Sequence, residues 1–245
     1  MIVLFTDFGV NGPYIGQMEA VIYGRHPQAR VINLFANAPG FDPRASAYLL
    51  AAYVRDLPAG TVVLAVVDPG VGSAQRRPVV ASVGVWQFVG PDNGLFDVLA
   101  KHAGGGIKRE IRWQPETLSA SFHGRDLFAP LAAALDCGTV QSEWLGPERP
   151  FSLEAVASDL HEVVYIDDYG NAITGVRGAL IAPNTRIVVN GNELARARTF
   201  ADVTPGQGFW YENANGLIEL AVNRGSAAQQ FSLAVGVPIE FYTKT

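Results

Sequence analysis

The chain of 245 residues has one cysteine, Cys137, and four histidines. A single thiol cannot build a disulfide framework, so the sequence is read as that of a cytoplasmic protein in a reducing compartment. Cys137, in "AALDCGTV", falls at an expected helix end and is read as a buried structural thiol. No HxxxH or CxxC spacing occurs, and no metal site is expected. No apolar run reaches the roughly 18 residues of a membrane span, and "MIVLFTDFG" lacks the basic start and cleavage site of an export signal. Neither a membrane nor export is therefore expected. Lys and Arg are scattered over a chain of net charge −5, which leaves no basic stripe for a nucleic acid. No GxGxxG follows the first apolar run, so a dinucleotide fold is not indicated. "DFG" at 7–9 and "HGRD" at 123–126 stand in the reverse of protein-kinase order, without the glycine-rich loop and lysine that precede them there.

What is present falls into two grammars. In the first half, β-branched runs of strand length ("MIVLF", "RVINLF", "TVVLAVVD", "VVASV") alternate with helical stretches. One of these, "FDPRASAYLLAAYVRDLP", offers Asp42 as an N-cap, Pro43 at the first helical position and Pro58 after the stop. Such alternation predicts a mostly parallel sheet with helices on both faces. From Glu162 onward, short strand-like runs are separated by Gly and Asn turns, and Asn190-Gly191 is a strong hairpin signal. A C-terminal antiparallel β-barrel follows as the expected closure. The fold class is thus α/β, with an N-terminal domain over 1–153 and a barrel domain over 154–245.

Ligands bind beyond the carboxyl ends of parallel strands, where loops converge and helix N-termini offer free N–H groups. Three acids occupy such places: Asp7 in "TDFG", Asp68 in "DPGVG" and Asp92 in "PDNG". The glycines beside them let the backbone turn tightly and approach a ligand. "SFHGRDLFAP" adds His123, Arg125 and Asp126 among apolar neighbours, either as a functional group or as an Arg125–Asp126 pair beside a core imidazole.

Taken in order, "TDFG", "DPGVG" with its following arginine pair, "PDNGL", "HGRDLFAP", "IDDYGNAIT" and "GLIELAVNRGSAA" resemble the S-adenosyl-L-methionine hydroxide adenosyltransferases, relatives of the 5′-fluorinase and 5′-chlorinase. The resemblance spans residue 2 to about 230. It implies an α/β domain, a barrel, and a homotrimer with active sites between subunits. It also implies a metal-independent hydrolase that converts S-adenosyl-L-methionine, its small-molecule substrate, to adenosine and L-methionine with no cofactor. The residues that hold the attacking water would be Asp68, His123 and an arginine of the 76–77 pair. Three residues, "SAQ", precede that pair where the family usually has two; alignment from the right selects Arg76, with Arg77 as the alternative. Substrate contacts carry over to Asp7 and Asp68, to Asp167 near the methionine ammonium, to Asn171 at the adenine, and to Glu219 and Asn223 in the last motif. Tyr169 is either a cover for the purine face or a core aromatic. Ala214 stands where the family has a serine of the methionine pocket, and Asn11–Gly12 where it has an acid.

Two other functions fit the same scaffold. A non-catalytic adenosine or S-adenosylmethionine binding protein would accommodate the lengthened arginine loop. A 5′-halogenase is disfavoured by His123-Gly124, which replaces the pair of hydroxyl-bearing residues found at the halide.

Overall fold

The computed structural model describes residues 1–73 and 77–243, and the chain divides into two compact units, Met1–Val156 and Ala157–Thr245. In the first unit the elements run β1 (Ile2–Thr6), α1 (Tyr14–Arg25), β2 (Val31–Phe35), α2 (Pro43–Tyr53), β3 (Val62–Val66), β4 (Pro78–Val83), β5 (Trp86–Pro91), α3 (Asp97–His102), β6 (Ile107–Ile111), α4 (Ala129–Asp136) and β7 (Leu145–Pro150). They form one sheet in the order β2-β1-β3-β5-β4-β6-β7.

This sheet is mixed, not mostly parallel. Strands β2, β1, β3 and β5 run parallel, whereas β4, β6 and β7 add antiparallel pairings. For β4 the cause is local: Val83 pairs with Trp86 across the two-residue turn Gly84-Val85, with Gly84 at φ 57°. So short a link can only reverse the chain, because a parallel neighbour needs a long crossover.

Helices cover both faces of the sheet. Met18 and Ile22 of α1 and Leu131 of α4 pack with Ile2, Leu4, Leu64 and Val66. On the other face Phe5 meets Phe35 (centroids 5.2 Å apart), and Phe35 meets Tyr53 of α2 (4.9 Å). Burial on both sides explains why β1 and β3 read as unbroken apolar runs rather than alternating ones. The α2 start is as the sequence predicts: Asp42 accepts the Ala45 N–H at 2.9 Å and Pro43 opens the helix. Cys137, by contrast, is exposed: α4 is buried through Ala134, and Cys137 caps it where the helix has already left the core.

The second unit comprises β8 (Leu160–Ile166), β9 (Ala172–Arg177), β10 (Thr185–Val189), β11 (Asn192–Arg196), β12 (Gly208–Glu212), β13 (Leu217–Val222), the short helix α5 (Ala227–Gln230) and β14 (Glu240–Thr243), in the sheet order β14-β10-β11-β12-β13-β9-β8. It is a curled half-barrel. The expected all-antiparallel pairing needs correction, because β11 and β12 are parallel. Segment 197–207 between them is long enough to carry the chain back in the same sense, and it holds a 3-10 turn, Phe200–Asp202, closed by a Thr199/Asp202 capping box. Beside β8, Val163 N–H donates to Val237 O and Ile239 N–H to His161 O, both at 2.9 Å, so the sheet edges meet over a short stretch. Asn190 (φ 46°) and Gly191 (φ 75°) make the predicted β10–β11 hairpin turn, and Asn190 Nδ2 donates to the carbonyls of Phe231 and Ser232 at 3.0 and 3.1 Å. Trp210 is fully buried at the centre and donates Nε1–H to Thr185 O at 3.2 Å. No helix among the described residues is long and apolar enough to cross a membrane.

Candidate active site

Strands β1, β3 and β5 lie side by side, so the loops after them converge. Asp7 accepts the Phe41 N–H through Oδ2 at 3.0 Å. Burial pushes its carboxyl above the ordinary range against the pull of the backbone hydrogen bonds from Phe41 and its own N–H, and the charge of Asp68 pushes it further up. Asp68 Oδ1 accepts the Gly70 N–H at 3.1 Å, which folds the "DPGVG" loop back on its own acid. Asn93 braces the strand just before it by donating Nδ2–H to Val67 O at 2.8 Å. Asp92, the third acid of this edge, is bound to Lys108 Nζ at 2.6 Å and holds the chain through its N–H to Arg77 O.

Asp7 and Asp68 border a cleft of about 620 Å³, together with Tyr14, Phe41, Ser119, Ser121, His123 and Arg125. Phe8, Tyr14 and Phe122 form its apolar wall, in mutual edge contact with centroids 5.3–5.9 Å apart. A smaller recess of about 160 Å³ is bordered by Asp68, His123 and Arg77 among others. Asp68 and His123 line both spaces and therefore stand where cleft and recess adjoin. Arg77 is 59% exposed, its Nη1 3.9 Å from Glu110 Oε2. Arg76 lies outside the described residues.

His123 opens a single π-helical turn, Gly124–Phe128, in which Ala129 N–H bonds to Gly124 O five residues back. Arg125 and Asp126 pair as a fork, Nε to Oδ1 at 2.6 Å and Nη2 to Oδ2 at 3.0 Å. The arginine holds the Asp126 carboxyl below the usual range although burial opposes it.

In the second unit, Asp167, Tyr169, Asn171 and Glu219 border one pocket of about 630 Å³, with Phe200, Tyr211 and Arg224. Asp167 organises the β8–β9 turn: Oδ1 accepts the N–H groups of Tyr169 (3.0 Å) and Asn171 (2.8 Å), and Oδ2 accepts Asn171 Nδ2–H (3.1 Å). Tyr169 is 81% exposed, which removes the core reading of this aromatic. Glu219 on β13 is buried; Tyr211 donates its hydroxyl to Oε1, and Asn213 donates Nδ2–H to Oε2 at 3.0 Å. Burial raises the Glu219 carboxyl, these two hydrogen bonds oppose the rise, and the charge of Asp167 adds to it. Two carboxylates on one pocket favour a cationic ligand group.

Two expected contacts lie elsewhere. Ala214 is exposed in the β12–β13 turn and does not border this pocket, and Asn223 donates Nδ2–H to Val203 O at 2.7 Å, tying a loop. Sequence reasoning missed Tyr211, Asn213 and Phe200. For Tyr211 the signal was the alternation of "GFWYEN", which puts it opposite Glu219 on paired strands; Phe200, in a separate loop, had none. Among the described residues, no group of three or more His, Cys, Asp or Glu side chains is placed to hold a metal ion.

The profile of the SAM hydroxide adenosyltransferase N-terminal domain matches residues 2–146, and that of the C-terminal domain matches residues 161–240. A Thermus thermophilus protein named (R)-S-adenosyl-L-methionine hydrolase is 40% identical over 96% of both chains, and one of the same name from Salinispora tropica is 35% identical over 94% of this chain and 93% of its own. A crystal structure of a conserved Thermotoga maritima protein superposes with a TM-score of 0.87 at 34% identity, over 98% of this chain and 99% of that one. With both halves matched in order and the fold shared end to end, the chain belongs to the SAM hydroxide adenosyltransferase family.

Proposed function

We propose that the protein hydrolyses S-adenosyl-L-methionine to adenosine and L-methionine by attack of water on the ribose 5′ carbon, and that it acts on the (R) sulfonium epimer named in its relatives. The observation that carries the reading is the place of Asp68 and His123, both bordering the large cleft and the small recess. The cleft suits a nucleoside and the recess suits a water.

The sulfonium is a good leaving group, so the protein's task is to position substrate and water and to take a proton. Asp68 and His123 accept hydrogen bonds from the water, and one proton leaves it as its oxygen bonds to C5′ while the other stays on the new 5′ hydroxyl. The C5′–S bond breaks, and its electron pair returns to sulfur, leaving neutral methionine thioether. An arginine stabilises charge developing on the attacking oxygen. That role is assigned to Arg76, with Arg77, which borders the recess, as the alternative. Bulk water is a very weak acid, so proton removal is concerted with attack rather than preceding it. This chemistry asks for no metal and no cofactor.

Asp7 is assigned the ribose hydroxyls, as a two-oxygen acceptor. In the barrel unit, Asn171 is assigned to the adenine, exposed Tyr169 to its face, and Asp167 with Glu219 to the ammonium end. The site is thus divided between an α/β domain with the catalytic loops and a barrel domain that completes the nucleoside site. A homotrimer with active sites shared between subunits supplies both parts, in a soluble cytoplasmic enzyme. The test is incubation with each sulfonium epimer in metal-free buffer made with ¹⁸O-water. Adenosine labelled at the 5′ oxygen is expected; unchanged ligand would point to a binding protein, 5′-haloadenosine in halide buffer to a halogenase, and label in methionine would overturn attack at C5′.

A further inference from the structure

The segment that carries His123 is closed on itself. Asp126 takes the Arg125 fork through both oxygens, and its Oδ2 also accepts the Ser119 N–H at 2.9 Å. Its own N–H donates to Phe122 O at 3.2 Å. The Arg125 guanidinium carbon lies 5.1 Å over the Phe122 ring, and a β-carbon at Gly124 would stand 3.2 Å from Phe8 and 3.3 Å from Phe122. Residues 119–126 therefore form a ring of contacts with His123 on it. Arg125 borders the cleft, but Asp126 borders neither the cleft nor the recess. Among the described residues, these hydrogen bonds all lie within the segment that bears the imidazole.

We propose that Asp126 is a positioning residue for hydrolysis: paired with Arg125 and bonded to Ser119, it fixes the His123 ring where cleft and recess adjoin and balances the charge beside it. The proposal rests on His123 acting as a base. As a pair, Arg125 and Asp126 are neutral, so the imidazole gains a proton from the attacking water beside no uncompensated charge of this pair. Asp126→Asn leaves Arg125 as an unbalanced cation and disfavours imidazolium. Arg125→Gln leaves Asp126 as an unbalanced anion and favours it. Among the described residues, the other charged or titratable groups facing the same space are Asp7 after β1, Tyr14 of α1, Asp68 after β3 and Arg77 before β4, and neither substitution alters them. A brace of purely structural kind would move the ring in one direction in both variants, or not at all.

The experiment is an NMR titration of the four imidazoles in the full-length protein, with the His123 signal assigned by its loss in His123→Gln, alongside the pH profile of kcat. The His123 pKa is expected to fall in D126N and to rise in R125Q, with the acid limb of kcat following each. In D126N, kcat should fall about tenfold or more while KM changes less, since misplacing a reacting group costs more in the transition state than in binding. Because R125Q retains the Ser119–Asp126 bond, it alone decides the matter if D126N does not fold. A His123 pKa that stays fixed, or that moves the same way in both variants, overturns the proposal. Opposite ring shifts with an unchanged kcat profile would uphold the clip around His123 and overturn the reading of His123 as the base.

Discussion

Gly72 and Ala120 approach so closely that a β-carbon on Gly72 would lie 2.5 Å from the Ala120 carbonyl oxygen, and Gly72 also has φ 80°. The Asp68 loop is thereby keyed to the loop that leads to His123. Gly72→Ala should destabilise the protein by at least about 2 kcal/mol, from left-handed strain of ~1–2 kcal/mol plus the backbone clash. Turnover should fall in the protein that still folds, because the two residues that hold the attacking water separate. Thermal unfolding and kcat at a temperature below the transition check both effects; an unchanged kcat would show that the keying is irrelevant to chemistry.

The arginine pair is separable by kinetics. Arg76→Ala should lower kcat by about 10²-fold or more, on the order of the 2.7–4 kcal/mol lost when one electrostatic donor leaves an active site, with KM little altered. Arg77→Ala should stay within about ±0.5 kcal/mol of wild-type stability and keep most turnover. Lysine at 76 should rescue in part only, since a point charge lacks the planar fork. Exchange of the two alanine phenotypes would move the role to the arginine that borders the recess.

Asp7→Asn should cost substrate binding and gain stability. Loss of a charged acceptor for the ribose hydroxyls corresponds to roughly 1.5–3 kcal/mol, or a rise in KM of about 10- to 100-fold. The folded-state carboxyl is raised by burial, so its favourable contribution to folding is present below the unfolded pKa and is lost as pH rises through the folded one. At neutral pH the wild type therefore carries an unfavourable buried charge that Asn lacks, while Asn Oδ1 keeps the Phe41 N–H as a donor. Denaturation at pH 7 should show the variant more stable, and the difference should close as the solution is acidified. A variant less stable at pH 7 contradicts this.

Tyr211→Phe removes one of the two donors on buried Glu219 and should destabilise the barrel unit by about 1–3 kcal/mol at pH 7. The loss should shrink as pH falls and Glu219 takes a proton, because the neutral acid needs the donor less. Urea unfolding followed across pH tests this; a loss that does not vary with pH would mean that Glu219 is already protonated at neutrality.

The proposed sharing of sites between subunits makes a mixing prediction. Chains bearing Asp68→Asn and chains bearing Asn171→Ala should each be weakly active alone, and active when refolded together, because some sites then combine two intact halves. Light scattering should give a trimer mass. A fully active monomer would refute the arrangement.

Legibility followed the range of the interactions. The Asp42 cap, Pro43 and the Asn190-Gly191 turn depend on neighbours within a few residues, and the sequence reading of each agrees with the structure. Gly84-Val85 is a weak signal because Val is a poor hairpin residue, and that one turn reverses β4, making its pairings with β5 and β6 antiparallel. The parallel β11–β12 pair depends on where segment 197–207 returns, which no local pattern encodes. In the candidate site, acids at strand ends announce themselves through Gly and Pro neighbours, as Asp7 and Asp68 do. Asp92 announces itself in the same way, and only the approach of Lys108 from a neighbouring part of the sheet reveals its different task. The wall of Phe8, Tyr14 and Phe122 joins residues from opposite ends of the unit, so each alone reads as ordinary apolar filling.

The β10–β11 turn bears on chemical ageing. Asn-Gly is the sequence most open to deamidation, since a bare glycine lets its nitrogen attack the asparagine amide carbon and close a succinimide. Here the Asn190 amide is moored to the carbonyls of Phe231 and Ser232, on a chain segment distant in sequence, and the backbone is locked in the left-handed form. Attack requires that amide to let go and swing round. The turn that sets the register of the hairpin therefore also protects its own covalent bonds, and the damage clock at this site runs only as fast as the hairpin comes loose from the residues that follow α5.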